Sequence, residues 1–259
     1  MAGYETIGYG VAEGLATITL SRPDKRNALN LPMFGELGEA ATRAAEDPNA
    51  RVVLVRAEGP SFCAGIDVGE LALLAGTGAD DVRTLATTAQ RPMLTLATMA
   101  KPTVAAVQGH AVGAGFQLAL ACDLRIAADD ASFAMLEIRF GLIPDLGGTK
   151  RLSALAGPAV AKELIWTGRR VDVSEALRLG LVNRSVPRDR LEEEAIELAR
   201  ALAAAPSRSL ALAKGLVEDA PRRDLVEHMA AEREAQVVCV GTEAVTAYLE
   251  RREAKSARR

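Results

Sequence analysis

The sequence predicts an α/β fold of parallel strands, followed by a helical C-terminal region. Strand-like and helical segments alternate up to about Val186, and such alternation favours parallel strands joined by right-handed crossovers. From about Arg188 to Arg252 four amphipathic stretches follow with hardly any strand pattern. Hydrophobic residues make up 49% of the chain and aromatic residues only 3%, which is typical of an aliphatic, helix-rich interior. We therefore expect a core over residues 1–186 and a helical region over residues 187–259.

The first half of the core reads as a hairpin, a loop, a helix and a strand. Residues 4–9 and 15–20 carry β-forming side chains on either side of "AEG", which predicts a hairpin. The stretch "SRPDKRNAL" is loop-like because of its Pro, Asp and Asn content. Helical spacing runs from Leu31 to Glu46 and stops at "DPN". "RVVLVRA" then predicts a buried strand.

The second half of the core repeats this rhythm. Residues 80–99 predict a second helix, and "KPTVAAVQG" predicts a second buried strand. "GHAVGAGFQLALACD", residues 109–123, is a turn of small residues that opens an apolar helix. "DLRIAA" is another strand, and the pattern becomes helical after "ADDASFAM".

Two of these turns are suited to binding a negatively charged oxygen through the backbone. Small residues at 113–115 allow close approach of a ligand, and the first N–H groups of the following helix have no intrahelical acceptor. "SFCAGIDV", residues 61–68, offers another exposed N–H at Ile66. Two opposed N–H donors can stabilise a carbonyl that becomes an enolate. The alternative is a turn of small residues packed under a neighbouring strand, because a single Gly-x-Gly is a weak motif.

Composition argues against several classes of function. The formal net charge of −3 gives no reason to expect a nucleic-acid partner. The three cysteines are Cys63, Cys122 and Cys239. They are far apart in the sequence and lack metal-ligand spacing, so we expect reduced, structural thiols and no metal site. "MAGYETIGYG" lacks the features of an export signal, and no apolar run approaches the ~18 residues of a membrane span. We expect a soluble cytoplasmic protein without a membrane partner.

Four stretches together resemble the crotonase family, the enoyl-CoA hydratases and isomerases. They are "RPDKRNAL" (22–29), "SFCAGIDV" (61–68), the segment from "KPTVAAVQG" to "GGTKRL" (101–152) and "GLV" (180–182), in the family's order and spacing. The resemblance implies a crotonase-like spiral of ββα units, with a C-terminal helical region that builds homotrimers or homohexamers. It also implies an acyl-CoA thioester substrate and no separate cofactor, since coenzyme A enters as part of the substrate.

The resemblance also implies roles for individual residues. The N–H groups of Ile66 and Ala114 match the family's oxyanion hole. The implied CoA-binding positions are Lys25, Arg26, Ala28 and Ala64 for the nucleotide and Arg251 for the phosphates of an adjacent subunit. Lys25 and Arg26 could instead be charges of a solvated loop, and Arg251 could belong to a solvated chain end.

The carboxylates depart from the hydratase pattern. Hydratases of the family carry two glutamates, and the matching positions here are Gln117 and Glu137. An amide orients a ligand but does not exchange a proton at neutral pH. The chain reads "IPDLGGT" where hydratases usually read "IPGAGGT", and several isomerase branches place an acid at the position of Asp145.

These departures favour double-bond isomerisation, with Gln117, Glu137 and Asp145 as the catalytic set. One alternative is a 2-enoyl-CoA hydratase in which Asp145, or a water held by Gln117, replaces the missing glutamate. Another is an acyl-CoA-binding protein without turnover. Asp145 could also simply cap a helix, and Glu137 could be a surface acid. A nucleophilic pair of Cys63 and His110 is disfavoured, since no third residue orients it.

Overall fold

The computed structural model describes residues 3–74 and 76–256, without the side chains of residues 71, 73, 74, 243, 251 and 253–256. The chain divides into two compact units, Met1–Leu202 and Ala203–Arg259. No helix in the described ranges has the length and apolar character needed to cross a bilayer.

The first unit is built on a six-stranded, mostly parallel sheet. In spatial order its strands are β1 (Ile7–Ala12), β2 (Leu15–Leu20), β3 (Val52–Ala57), β4 (Thr103–Val107), β6 (Leu124–Ala128) and β9 (Arg184–Val186). β1 and β2 form the predicted antiparallel hairpin, and every later pair in this sheet is parallel. All five residues of β4 are buried, as expected for a central parallel strand covered on both faces.

A second, three-stranded sheet carries the turn of small residues. Its strands are β5 (His110–Val112), β7 (Ser132–Ala134) and β8 (Val171–Asp172). β5 and β7 are parallel, whereas β7 and β8 are antiparallel. β5 leads directly into the apolar helix, so this sheet determines where that helix begins.

The helices of the first unit follow the strands. They are α1 (Leu31–Glu46), α2 (Val68–Leu74), α3 (Ala79–Thr98), α4 (Ala114–Ala121), α5 (Gly148–Thr167), α6 (Val173–Arg178) and α7 (Leu191–Ala204), which ends just past the division. Asn30 caps α1 by accepting a hydrogen bond from the Met33 N–H at 3.1 Å. All eight residues of α4 are buried, which explains why its sequence is apolar on every side.

The second unit is helical. It contains α8 (Ser207–Asp219), α9 (Leu225–Val240) and α10 (Glu243–Ser256), and the Ser209 hydroxyl lies 3.5 Å from the Cys239 sulfur between α8 and α9. The division falls later than the predicted boundary after Val186. The reason lies in α7, which pairs with β3 through Arg56–Glu192 and with the turn of the β1–β2 hairpin through Arg200–Glu13 at 3.0 Å.

Candidate active site

Two backbone turns meet at the start of α4. The Cys63 N–H donates to the His110 carbonyl at 2.8 Å, and the Val112 N–H donates to the Cys63 carbonyl at 3.1 Å. A Cβ placed on Gly65 would lie 3.0 Å from the Val112 carbonyl oxygen and 3.9 Å from the Ala114 nitrogen. The two glycine-containing stretches singled out in the sequence therefore pack directly against each other.

The N–H groups of Ile66 and Ala114 are available at this junction. Ala114 is the first residue of α4, where an N–H has no intrahelical acceptor. Gly113 before it has φ 53° and ψ −125°, a conformation that glycine adopts without strain. Across the described residues, neither N–H donates to a protein acceptor. The pair fits the expected two-donor arrangement, although their role as an oxyanion hole remains a prediction.

Glu137 lies beside this junction. It opens a short 3-10 helix, Glu137–Phe140, that follows β7. A Cβ on Gly113 would lie only 3.5 Å from Glu137 Oε1, so the carboxylate adjoins the turn that presents the Ala114 N–H. Oε1 accepts a hydrogen bond from Gln117 Nε2 at 2.7 Å. Oε2 is buried and has no hydrogen-bond partner within the described part of the chain, which leaves it available to a substrate.

The surroundings of Glu137 favour its protonated form. Burial raises the pKa of this carboxyl above its usual value, and the negative charge of Asp145 raises it further. The hydrogen bonds from its own backbone N–H and from Gln117 act in the opposite direction but do not cancel the rise in pKa. A carboxyl with a raised pKa is suited to taking up and returning a proton near neutral pH.

Gln117 connects Glu137 to a second loop. It lies on α4 and is 2% exposed. Its Oε1 accepts hydrogen bonds from the Leu146 N–H at 2.9 Å and the Gly148 N–H at 3.0 Å. With Nε2 bound to Glu137, the amide joins the carboxylate to the loop that carries Asp145.

Asp145 lies on the loop that precedes α5. The residue is exposed to solvent, but partial desolvation of its carboxyl still raises the pKa of this group, and its charge acts on Glu137. The alternative of a helix cap is wrong, because the N-cap of α5 is Gly147 and the Gly148 N–H at the start of the helix donates to Gln117 rather than to Asp145. The Asp145 carbonyl accepts a hydrogen bond from Gln90 Nε2 at 2.7 Å. The structure thus brings Gln117, Glu137 and Asp145 together.

The loop implicated in nucleotide binding is adjacent to the Ile66 turn. The Ala64 N–H donates to the Arg26 carbonyl at 2.9 Å, and Arg22 bonds both the Ala28 carbonyl at 2.5 Å and Asp67 at 3.0 Å. Lys25 and Arg26 are exposed. Arg251 lies in α10, but its side chain is outside the described residues. The CoA-binding roles of all five positions remain predictions.

The sequence did not indicate the importance of two residues in and around the site, Asn27 and Gly148. Asn27 is fully buried, and its side-chain nitrogen donates to the carbonyls of Glu58 at 2.8 Å and Ser61 at 2.9 Å. Its φ of 55° is a conformation that asparagine tolerates better than most residues, so an Asn within a Pro- and Asp-containing loop was an available signal. Gly148 has no such signal, because its importance comes from its closeness to Gln117.

The disfavoured nucleophilic pair of Cys63 and His110 finds no support in the structure. Burial raises the pKa of the Cys63 thiol to about 12, which keeps it protonated and unreactive. His110 Nδ1 lies 3.0 Å from the Ser132 hydroxyl, so the imidazole pairs elsewhere. No group of three or more His, Cys, Asp or Glu side chains in the described ranges could hold a metal ion.

Comparison with known proteins agrees with this geometry. Residues 10–258 match the family model described as enoyl-CoA hydratase/isomerase. The chain is 34% identical over 256 residues to the crotonyl-CoA hydratase of Syntrophomonas wolfei, covering 97% of each sequence. Among solved structures, an enoyl-CoA hydratase subunit of Geobacillus kaustophilus superposes with a TM-score of 0.89 at 35% identity, covering 96% of this chain and 97% of that one.

A second solved structure was determined with a ligand. The putative enoyl-CoA hydratase of Thermobifida fusca in complex with CoA has a TM-score of 0.85 and 36% identity, covering 91% of this chain and 93% of that one. Family model, sequence and fold therefore agree over nearly the whole length. The chain is an enzyme of the enoyl-CoA hydratase/isomerase family and has the crotonase fold.

Proposed function

We propose that the enzyme isomerises unsaturated acyl-CoA thioesters, moving a double bond from C3–C4 to C2–C3. The observation that carries the proposal is the state of Glu137. This half-buried carboxylate adjoins the turn that presents the Ala114 N–H, with one oxygen bound by Gln117 and the other buried and unpartnered in the described structure. Such an isomerisation needs one group that removes a proton from a carbon and returns it to another.

The steps follow from this geometry. The thioester carbonyl accepts hydrogen bonds from the N–H groups of Ile66 and Ala114, which stabilise the negative charge that develops on its oxygen. Glu137 Oε2 takes a proton from C2, and the electron pair of the broken C–H bond passes into a dienolate. The same oxygen then returns the proton to C4, and the electrons settle as a C2–C3 double bond.

Asp145 acts on this reaction through its charge. Its carboxylate raises the pKa of Glu137. Glu137 therefore takes up the substrate proton more readily when the dienolate intermediate forms. A more direct role, in which Asp145 returns the proton itself, is the alternative.

Hydration is the second candidate, because the relatives named above are hydratases. Adding water to a 2-enoyl thioester requires a group that orients and deprotonates the water. Gln117 is poorly suited to this, since its Oε1 already accepts two backbone N–H groups and its amide does not take up a proton. Asp145 would have to supply the missing function.

Product mass distinguishes the two reactions. We expect 3-enoyl-CoA to be consumed without a change in mass, with the absorbance of a conjugated thioester appearing. Incubation with 2-enoyl-CoA should add no water at a comparable rate. Rapid addition of one water to 2-enoyl-CoA, with 3-enoyl-CoA left untouched, would assign a hydratase. Binding of both thioesters without any product would instead indicate a non-catalytic acyl-CoA-binding protein.

The proposal extends to coenzyme A and to assembly. CoA enters as part of the substrate and no further cofactor is required by the proton transfers. The contact of the Lys25–Ala28 segment with Ala64 supports a nucleotide site there, as does the CoA bound by the Thermobifida fusca structure.

Arg251 is proposed to reach the CoA phosphates of an adjacent copy within a homotrimer or homohexamer. Exposed apolar side chains on α9, including Val226 and Val237, support packing between copies.

A further inference from the structure

The orientation of the Gln117 amide is determined by its neighbours. Both groups that approach Oε1 are backbone N–H donors, from Leu146 and Gly148. This atom must therefore be the carbonyl oxygen, and the nitrogen must face Glu137. Gln117 Nε2 lies 2.7 Å from Glu137 Oε1. Whenever the carboxylate is ionised, this oxygen therefore accepts a hydrogen bond from the amide N–H.

The packing leaves this amide little freedom. Gln117 is 2% exposed on a helix whose residues are all buried. A Cβ on Gly148 would lie 2.7 Å from both Cγ and Oε1 of Gln117, closer than non-bonded atoms approach. The glycine therefore allows the Gln117 side chain to reach the backbone at 146–148. An amide with three protein partners in such a space is a fixed element of the site rather than a group that turns toward substrate.

We propose that Gln117 is a positioning residue, which binds one oxygen of Glu137 so that the other oxygen alone exchanges protons with the substrate. This inference rests on the proposed function only for its catalytic consequence, since the orientation and ionisation of Glu137 are properties of the free protein. Gln117 itself transfers no proton.

The same contacts explain why an amide occupies this position. A glutamate at 117 would keep the bonds from Leu146 and Gly148 through one oxygen, but its other oxygen would face Glu137 Oε1 at hydrogen-bond distance. Two carboxylates that close do not ionise together, so one proton would be shared between them. With an amide at position 117, an N–H group faces Glu137 and no proton is shared between two carboxylates. Glu137 therefore titrates as a separate base.

The test measures the ionisation of Glu137 directly. The carboxyl carbons of protein labelled with ¹³C-glutamate are followed by NMR during a pH titration, and the Glu137 signal is assigned from its loss in Glu137→Gln. Gln117→Met removes every hydrogen bond of the side chain at nearly constant volume, whereas Gln117→Glu keeps the acceptor and replaces the N–H donor with a carboxyl that shares a proton with Glu137. Gln108→Met is the matched control. Gln108 is also buried, but its amide donates to the carbonyls of Ala57 at 2.7 Å and Gly59 at 3.3 Å.

We expect both Gln117 variants to raise the pKa of Glu137, with Gln117→Glu titrating as a coupled pair. Gln108→Met should lower the melting temperature without moving the Glu137 titration. In turnover of 3-enoyl-CoA, Gln117→Met should lower kcat at least about tenfold and change KM less than about threefold. If Gln117→Met does not fold, Gln117→Glu provides the same titration with the backbone contacts retained.

An unchanged Glu137 titration in both Gln117 variants would overturn the inference, even if the wild-type protein is an active isomerase. Conversely, a shifted titration in a protein that turns over no 3-enoyl-CoA would support the positioning role and refute the proposed function. The two failures are therefore distinguishable.

Discussion

Glu137 combines three features that are separately ordinary and together unusual for a structural acid. It is held by one hydrogen bond to an amide, it has a buried oxygen without a partner in the described structure, and burial raises its pKa. Each feature costs stability or contributes little to it, and all three suit a group that carries a proton.

Glu137→Gln should abolish most turnover while leaving ligand binding intact. The change preserves shape and removes the proton carrier, so kcat should fall by roughly 10²- to 10⁴-fold. Affinity for a non-reacting CoA thioester, measured by calorimetry, should change less than about threefold. Glu163→Gln is the control, because Glu163 is a surface carboxylate paired with Arg169 and its loss should not affect kcat. A decrease of kcat below about threefold in Glu137→Gln would show that another group is the base.

Asp145→Asn should move the pH dependence of the reaction. The negative charge of Asp145 raises the pKa of Glu137, so removing it should lower that pKa. Since Glu137 acts as a base when ionised, the acidic limb of the kcat/KM profile should move to lower pH. The melting temperature should be unchanged, because Asp145 does not cap α5. A loss of about a hundredfold in kcat would instead mean that Asp145 transfers a proton.

The candidate site was partly predictable from the sequence. The motif positions of Glu137, Gln117 and Asp145 placed all three in one site. The direction of the Gln117 amide was not predictable, because its partners Leu146 and Gly148 follow it by 29 and 31 residues. Contacts of this kind depend on how two elements pack and leave no local pattern in the sequence.

The junction between the 61–67 turn and α4 is what positions the two N–H donors. Gly115 lies on the face of α4 that meets Cys63, and a Cβ there would lie 2.6 Å from both the Cβ and the carbonyl oxygen of Cys63. Neither of these atoms belongs to a flexible side-chain end. The close approach of helix to turn therefore requires glycine at 115.

Gly115→Ala should separate the turn from the helix. We expect it to lower the free energy of unfolding by about 1–3 kcal/mol through overpacking, and to lower kcat because the N–H groups of Ile66 and Ala114 lose their common geometry. Chemical denaturation and kinetics measure the two effects. Gly35→Ala in α1 is the control, since nothing lies within 4 Å of the new Cβ and the change should stabilise by roughly 0.5–1 kcal/mol. Equal stability of both variants would contradict the packing argument.

Long, periodic elements were the predictable part of the fold. The elements β2, α1, β3, β4 and β6 lie where the hydrophobic patterns placed them, whereas the first hairpin strand spans Ile7–Ala12 rather than the predicted residues 4–9. The short strands β5, β7 and β8 have three, three and two residues, too few to establish an alternation. They form because parallel and antiparallel partners at distant positions satisfy their backbone groups.

The second unit leaves a broad apolar surface exposed. On α9, Leu225 is 73%, Val226 78% and Val237 68% exposed, and clustered apolar exposure of this kind is typical of protein–protein contact. The sequence predicted amphipathic stretches in this region and, through the family resemblance, a trimer or hexamer.

Val237→Glu should shift the protein to smaller assemblies. Burying a charge in an apolar interface costs several kcal/mol unless it is paired, so light scattering should report three or six subunits for the wild type and fewer for the variant. Gln236→Glu adds the same charge at the neighbouring exposed position and should perturb assembly less. A wild-type monomer with full activity would contradict the proposed assembly.

For the whole enzyme, the transfer of a deuterium label from C2 to C4 of the substrate tests whether Glu137 carries the proton. The substrate is 3-enoyl-CoA with both C2 hydrogens replaced by deuterium. It is converted in ordinary water, and the product is examined by mass spectrometry and NMR. Because Glu137 Oε2 is buried, the deuteron that it removes should return to C4 faster than it exchanges with solvent, and most of the 2-enoyl-CoA product should carry deuterium at C4. Loss of the transferred deuterium to water, so that C4 carries none, or a product that has gained a water molecule, would contradict isomerisation by a single shielded carboxylate.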